Sequence, residues 1–351
     1  MNIECKDRMQ QKAISQDASH AIQLSVCVIG RNEGHHLPKC ITSLHQLETL
    51  KIAYETIFVD SASTDDSPII AQSGFDYVIR LTQSPFLNAG AARHVGTQHA
   101  KGDWILYLDG DMELAPEILP AIDDLIRSRR TDRGLCGFTE NFYPDGSSDL
   151  IYFRGNRAGS NCRMFGGAVL LPRLKVLEAG NWSCALYAYE ESELYSRLLR
   201  RGVNVIWCDN RMVAHKTPSV SLSRKLMGAI VPYRSYLGKK FYGAGQVTRL
   251  TLLNGNFGDF VRLKPDAYLM LVSIIVAVAA APWMSWIAGL LPALTFIFFT
   301  LRQGIRSAVN YVCWIVQMAF GLWRLNSEYH PAVVQILIKK NLIAVNHDCI
   351  G

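Results

Sequence analysis

From Leu24 to about Arg130 the chain alternates short apolar runs with stretches of helical period. "LSVCVIG" (24–30), "YETIFVD" (54–60), "YVIRL" (77–81) and "DWILYLD" (103–109) read as strands, each a brief apolar run bounded by polar or turn-forming residues. Between them a helix begins near Leu37 with Pro38 in its first turn, and "STDDSPIIAQ" opens another with several N-cap candidates. "NAGAARHVGTQHA" (88–100) gives a third helix, and the stretch from Pro116 to about Arg130 a fourth. Strands apolar on both faces, alternating with helices, predict a parallel sheet covered by helices. Asp60 and Asp109, which close two of these strands, then share one rim, where open α/β sheets bind ligands.

After residue 135 the pattern loosens. "LCGFTENF", "GGAVLLP" and "NVIWCD" predict further strands, with a helix over "EESELYSRLLRRG" before the last of them. Beyond Pro218 basic and apolar residues mix, as on an interfacial stretch. About 35 residues between Asp266 and Arg302 carry no charge, some 52 Å if wholly helical. A hydrocarbon core is only about 30 Å thick, so two tight spans turning near Pro282 to Ser285 fit better than one. Ser307 to Trp323 forms another apolar run, a third span or an interfacial segment. Arg302 and Arg306, with Lys339 and Lys340 later, put both flanks of this region on the cytoplasmic side. The expected organisation is a polar leader (1–23) with no signal-length apolar core, an α/β domain (24–218), a juxtamembrane segment (219–265), a membrane hairpin plus third apolar segment (266–323) and a tail (324–351).

Charge and cysteine usage narrow the partners. A net charge of +6 without a block of like charge gives no nucleic-acid arm and suits anionic ligands or an anionic membrane surface. Nine scattered cysteines with no C-x-x-C pair argue against a disulfide framework or a zinc site.

The candidate chemistry lies at the strand ends. In "ILYLDGDMEL" (105–114), Asp109 and Asp111 follow a buried strand with only Gly110 between them. Two carboxylates beside a small residue suit a hard cation such as Mg²⁺ or Mn²⁺ that shares its oxygens with a phosphate. "VIGRNEGHHLPKCITSL" (28–44), "FVDSASTDDS" (58–67), "NAGAARHVG" (88–96) and "ILYLDGDMEL" occur in that order, each at a strand end or helix start. Over residues 24–218 this succession resembles the family 2 glycosyltransferases. The resemblance implies an α/β class and a GT-A nucleotide-sugar-binding fold, a mostly parallel sheet covered by helices, here followed by C-terminal membrane helices.

It also implies roles for particular residues. Glu33 and Asp60 would hold the nucleoside. Asn88, Gly90 and Arg93 match an N-x-G-x-x-R element beside the donor. Asp109 would contact the donor's ribose or sugar, and Asp111, with Asp109, a divalent cation (Mn²⁺ or Mg²⁺). His215 in "RMVAHK" falls where a histidine lies near the diphosphate or metal. In "YEESELYSRLLRRG", Glu191 takes the place of the general base, usually an aspartate, with Glu190 as the alternative. Trp182 reads either as a platform for a sugar or as core. The second strand ends "VDSAS", so Ala62 stands where the common pattern has an acid or a glycine. The expected activity is inverting transfer from a nucleotide sugar, most simply a UDP-sugar, to a lipid-linked or cell-surface glycan at a membrane. A non-catalytic membrane scaffold or partner subunit in glycan assembly is the alternative.

Overall fold

The computed structural model describes residues 22–82, 87–151, 157–162, 165–216, 236–263, 265–284, 290–303, 334–338 and 342–345. The first half follows the predicted alternation: β1 (Leu24–Gly30), α1 (Leu37–Leu44), β2 (Tyr54–Asp60), α2 (Ser67–Gly74), β3 (Tyr77–Leu81), α3 (Ala89–His99) and β4 (Trp104–Asp109). β1 pairs in parallel with both β2 and β4, and β2 with β3. The middle strands are buried along almost their whole length, which is why their sequences are apolar runs rather than alternations.

Beyond β4 the chain forms β5 (Met112–Leu114), α4 (Leu119–Ser128), β6 (Arg133–Phe142), β7 (Ser148–Ile151), β8 (Val169–Pro172), α5 (Arg173–Glu178), α6 (Glu190–Arg200) and β9 (Asn204–Lys216). The predicted helix from Pro116 starts instead as a 3₁₀ turn at Pro116–Ile118. β8 runs antiparallel to β4, and β5 antiparallel to β9. The sheet is therefore parallel at its centre and mixed toward β5, where β6 again runs parallel to β9.

The C-terminal part contributes α7 (Tyr236–Leu253), α8 (Phe257–Leu263), α9 (Pro265–Met284), α10 (Leu290–Gln303), β10 (Val334–Ile338) and β11 (Leu342–Val345). β10 and β11 form a hairpin, and β10 adds antiparallel to β3, giving the order β11-β10-β3-β2-β1-β4-β8-β6-β9-β5 with β7 on β6. The region read as a plain tail thus supplies a sheet edge. Ala244 and Val247 of α7, Phe260 of α8, Tyr268 of α9 and Leu186 from the segment before α6 form a second small core. Its attachment to α6 is polar as well: Arg200 Nε lies 2.6 Å from Asp259 Oδ2, and Asn256 Nδ2 donates to Ser196 Oγ.

The expected membrane hairpin is matched by two helices, α9 and α10, that pack on each other. Among the described residues no helix is long and apolar enough to cross a membrane, so the two spans are not seen as spans. What the pair does present is a set of exposed large apolar side chains, including Leu269, Ile275, Val278, Leu294, Ile297 and Leu301. The run from Ser307 to Trp323 and the segment 219–235 lie outside the described residues.

Candidate active site

Parallel register brings the rim together. Gly30 is the partner of Asp60, and Ile29 of Asp109, so β1, β2 and β4 end side by side. A cavity of about 240 Å³ opens there, lined among others by Glu33, Ser61, Asn88, Asp109 and Asp111. Gly110 leaves room between the two acids, where a Cβ would approach the Glu33 side chain at 3.2 Å.

Glu33 is held from the neighbouring loop. Ser67 Oγ accepts from the Glu33 N–H, Ser63 Oγ from that of Asn32, and Asp65 Oδ2 from that of Gly34. Asn32 Oδ1 accepts in return from the Thr64 N–H. The "STDDS" side chains, read from sequence as helix caps, thus serve to latch the loop carrying Glu33. Asp66, the N-cap of α2, makes no side-chain capping bond. Burial, then the charges of Asp111 and Asp109, push the Glu33 carboxyl up to about 7.

Asp60 is fully buried and does not line the cavity. It accepts from the Ser63 N–H and lies 3.3 Å from Arg80 Nε. Ala62 follows with φ at 55°, a left-handed conformation that explains why a glycine suits this turn.

Asp111 and His215 meet through β5, whose Met112 is the register partner of His215. His215 Nε2 lies 3.1 Å from Asp111 Oδ2, and Nδ1 lies 2.9 Å from Asn141 Oδ1. Oxygens face both ring nitrogens, an arrangement that favours the doubly protonated ring. Burial lowers the His215 pKa, but the Asp111 hydrogen bond and the Asp111, Asp109 and Glu33 charges outweigh it, and the net shift is upward. Asp111 Oδ1 is buried with no hydrogen-bond partner. A hard divalent cation fits this donor set: it would take the orphaned carboxylate oxygen and the His215 nitrogen that faces Asp111. Among the described residues no three such side chains form a complete cage, and Mg²⁺ and Mn²⁺ sites commonly need substrate phosphates as well. Protons compete for His215 and the raised Glu33, so a cation held there would bind more weakly in acid: Mn²⁺ titrations should release protons and show affinity falling as pH drops from 8 to 6. A pH-independent Mn²⁺ affinity, read by calorimetry in two buffers, would contradict this reading of the ring.

Arg93 is sealed inside, 1% exposed, and does not open into the cavity. Nη2 donates to Asp109 Oδ1 at 2.8 Å and Nη1 to Glu190 Oε1 at 3.0 Å, with Glu191 Oε1 at 3.9 Å. The guanidinium thus joins the rim acids to the start of α6. Trp182 supports it from below: its ring lies 4.9 Å from the Arg93 Cζ and edge-on to Tyr107. Being 1% exposed, Trp182 is core, not a sugar platform.

Asn88 caps α3, accepting from the Ala91 N–H and donating Nδ2 to Cys184 O. Gly90 packs on the Ser183 carbonyl so closely that a side chain would overlap it. These contacts tie α3 to the segment before α6. Tyr189, in the left-handed region at φ 69°, then turns the chain so that Glu190 and Glu191 begin the helix. Glu190 is buried, and burial followed by the Glu191 charge raises its carboxyl pKa against the pull of Arg93. Glu191 keeps 23% of its side chain exposed.

The structure therefore gathers Glu33, Asp109 and Asp111 on one cavity, with His215 at Asp111 and Glu190 and Glu191 behind Arg93, while the buried Asp60 stays apart, paired with the part-exposed Arg80. Sequence reasoning missed Asn141 and Ser67. Asn141 ends a predicted strand, and its position two residues from a turn gave no chemical signal.

Residues 25–153 match the model for Glycosyl transferase family 2. An uncharacterized glycosyltransferase of Rickettsia bellii is 34% identical over 115 residues, 32% of this chain and 36% of that protein. The lipopolysaccharide core biosynthesis glycosyltransferase LpsC of Rhizobium meliloti is 30% identical over 114 residues, 30% of this chain and 40% of its own. The chain thus spans well under half the length of these curated relatives. Over 87% of this chain and 88% of the other, the fold matches the mannosyltransferase PcManGT of Pyrobaculum calidifontis, solved with GDP-Man and Mn²⁺, at a TM-score of 0.57 and 17% identity. Residues 25–153 therefore carry the pattern of the family 2 glycosyltransferases, and the fold around them is GT-A-like.

Proposed function

We propose that the chain transfers a sugar from a nucleoside diphosphate sugar to a hydroxyl acceptor with inversion. The observation that carries this is the orphaned Asp111 oxygen at the edge of a cavity that Glu33 and Asp109 also line. Glu33 would accept hydrogen bonds from the nucleoside, Asp109 would orient the ribose or sugar, and Asp60 would support the base from behind its turn. Asp111 and His215 would hold a divalent cation, as PcManGT's Mn²⁺ suggests by analogy. A cation bound there offsets the negative charge that builds on the departing diphosphate.

Glu191 is the base in this reading. Its carboxylate takes the acceptor hydroxyl proton, and the freed oxygen bonds to the anomeric carbon from the face opposite the diphosphate. The anomeric carbon–phosphate oxygen bond breaks, and its electron pair leaves with the nucleoside diphosphate. Glu190, tied to Arg93, positions Glu191 rather than taking the proton.

LpsC's role in lipopolysaccharide core synthesis supports a lipid-linked or cell-surface glycan as acceptor. The exposed apolar faces of α9 and α10 support attachment to a membrane. In this arrangement residues 24–218 form the catalytic domain on the cytoplasmic side, 219–265 the juxtamembrane segment, and 266–323 the attachment.

Binding of UDP, GDP and dTDP to the purified chain, each with and without Mn²⁺, tests the donor site. One nucleotide should bind in a Mn²⁺-dependent way, with Asp111→Ala weakening it at least tenfold. Failure of all three to bind would leave the non-catalytic scaffold as the better account.

A further inference from the structure

Helix α6, which carries Glu191, starts on a strained turn. Tyr189 stands at its N-cap in the left-handed region, at φ 69°, and makes no side-chain capping bond. The direction of the first turn is therefore set by whatever holds the residues just before it.

That hold comes from α7. Gln246 is fully buried, and its Oε1 accepts from the Tyr187 N–H at 3.1 Å. Gly243, three residues earlier and so on the same face of α7, lies against the next peptide, where a Cβ would stand 2.8 Å from the Ala188 nitrogen. Leu186 is buried in the core that α7 shares with α8 and α9, and Tyr189 packs against that core. Residues 186–189 are thus gripped one after another before the chain runs into Glu190 and Glu191. Farther along, α6 is fastened by separate contacts, Ser196 to Asn256 and Arg200 to Asp259.

Stability alone does not call for a glutamine in this place. Gln246 Nε2 is buried with no hydrogen-bond partner, and an unmet buried donor destabilises where an apolar side chain of the same length would not. What the glutamine adds is an oxygen that fixes a peptide N–H four residues before Glu191.

We propose that Gln246 is a positioning residue for Glu191. Its amide oxygen sets the peptide at Tyr187, the turn at Tyr189 follows from that, and Glu191 is thereby aimed at the acceptor hydroxyl. The assignment rests on the transferase reading, in which Glu191 is the base.

The test compares Gln246→Met, which keeps the length and loses the acceptor, with Gln246→Glu, which keeps an acceptor oxygen in the same place. Both are read in the full chain by amide hydrogen exchange and by single-turnover transfer per titrated nucleotide site. Gln246→Met should speed exchange over residues 184–191, while α6 beyond Ser196 and strands β1 to β4 keep theirs. Its transfer rate should fall by about tenfold or more with nucleotide affinity unchanged, because the reacting groups are misplaced rather than lost. The pH midpoint of the rate should move with the altered setting of Glu191. Gln246→Glu should recover most of the rate. An unchanged rate per nucleotide site in Gln246→Met, whatever its melting temperature, would make Gln246 a packing residue and overturn the proposal. Equal rates in the methionine and glutamate variants would overturn it as well. Failure of the transferase reading looks different: the wild type then binds no nucleotide, while exchange over 184–191 still reports whether Gln246 sets this turn, and unchanged exchange there overturns it.

Discussion

Arg93→Met is expected to destabilise the protein by about 3–5 kcal/mol, the usual cost of removing one partner from a buried ion pair. The loss follows from geometry. Arg93 is the cation that both Asp109 and the buried Glu190 contact, at 2.8 and 3.0 Å, with Glu191 at 3.9 Å. Without it, the buried Glu190 is left facing Asp109 and Glu191 with no counter-cation between them. Burial, then the neighbouring carboxylate, already raises Glu190, and burial also raises Asp109. An acid whose folded pKa exceeds its unfolded value is least costly when protonated, so its penalty appears as pH rises above the unfolded value. The Arg93→Met deficit should therefore be small near pH 4.5 and grow toward pH 8. Adding Glu190→Gln, which removes one of the stranded charges, should restore a large part of the stability at pH 8. Urea denaturation of the three proteins at both pH values checks this. A single-variant loss below about 1 kcal/mol at pH 8 would mean that water reaches the cluster and that Arg93 is not its keystone.

The parts of the fold that sequence reveals are those where one local rule decides the outcome. The runs at 24–30, 54–60, 77–81 and 104–109 are buried on both faces, so their apolar continuity marks them as strands. Their acids announce the rim because a carboxylate closing an apolar run has few structural reasons to be there. Where the outcome depends on pairing between distant segments, the signal fades. β5 is three residues, "MEL", too short for any periodicity, yet its pairing with β9 brings His215 to Asp111. Arg93 reads as a donor contact from its motif, whereas its burial depends on Trp182, Asp109 and Glu190 arriving from three separate segments. The hairpin β10–β11 is two short apolar runs, VQILI and LIAV, without a period of their own, and the free edge of β3 gives it a place. The contacts from α7 to the segment before α6, such as Gln246 Oε1 accepting from the Tyr187 N–H, are invisible in sequence for the same reason.

Glu191→Gln is expected to lower the rate of sugar transfer by about 10²–10⁴-fold, the usual contribution of a positioned general base. Nucleotide affinity and its dependence on Mn²⁺ should stay as in the wild type, because Glu191 lines no part of the donor cavity. The choice of Glu191 over Glu190 rests on access. Glu191 retains exposure and sits 3.9 Å from Arg93, too far for a committed bond, whereas Glu190 is buried and accepts from Arg93 at 3.0 Å. A base must reach the acceptor and present an uncommitted lone pair, and only Glu191 meets both conditions. Glu190→Gln should consequently act mainly through stability and through the setting of Glu191, with a smaller fall in rate and a shifted pH profile. Glu191→Asp keeps the carboxylate but withdraws it by one methylene, so it should retain part of the rate that the glutamine variant loses. Single-turnover transfer from the nucleotide sugar identified by binding separates these outcomes from changes in affinity. If Glu190→Gln proves the more damaging of the two at equal fold stability, the buried acid is the base, and Arg93 must release it during the reaction.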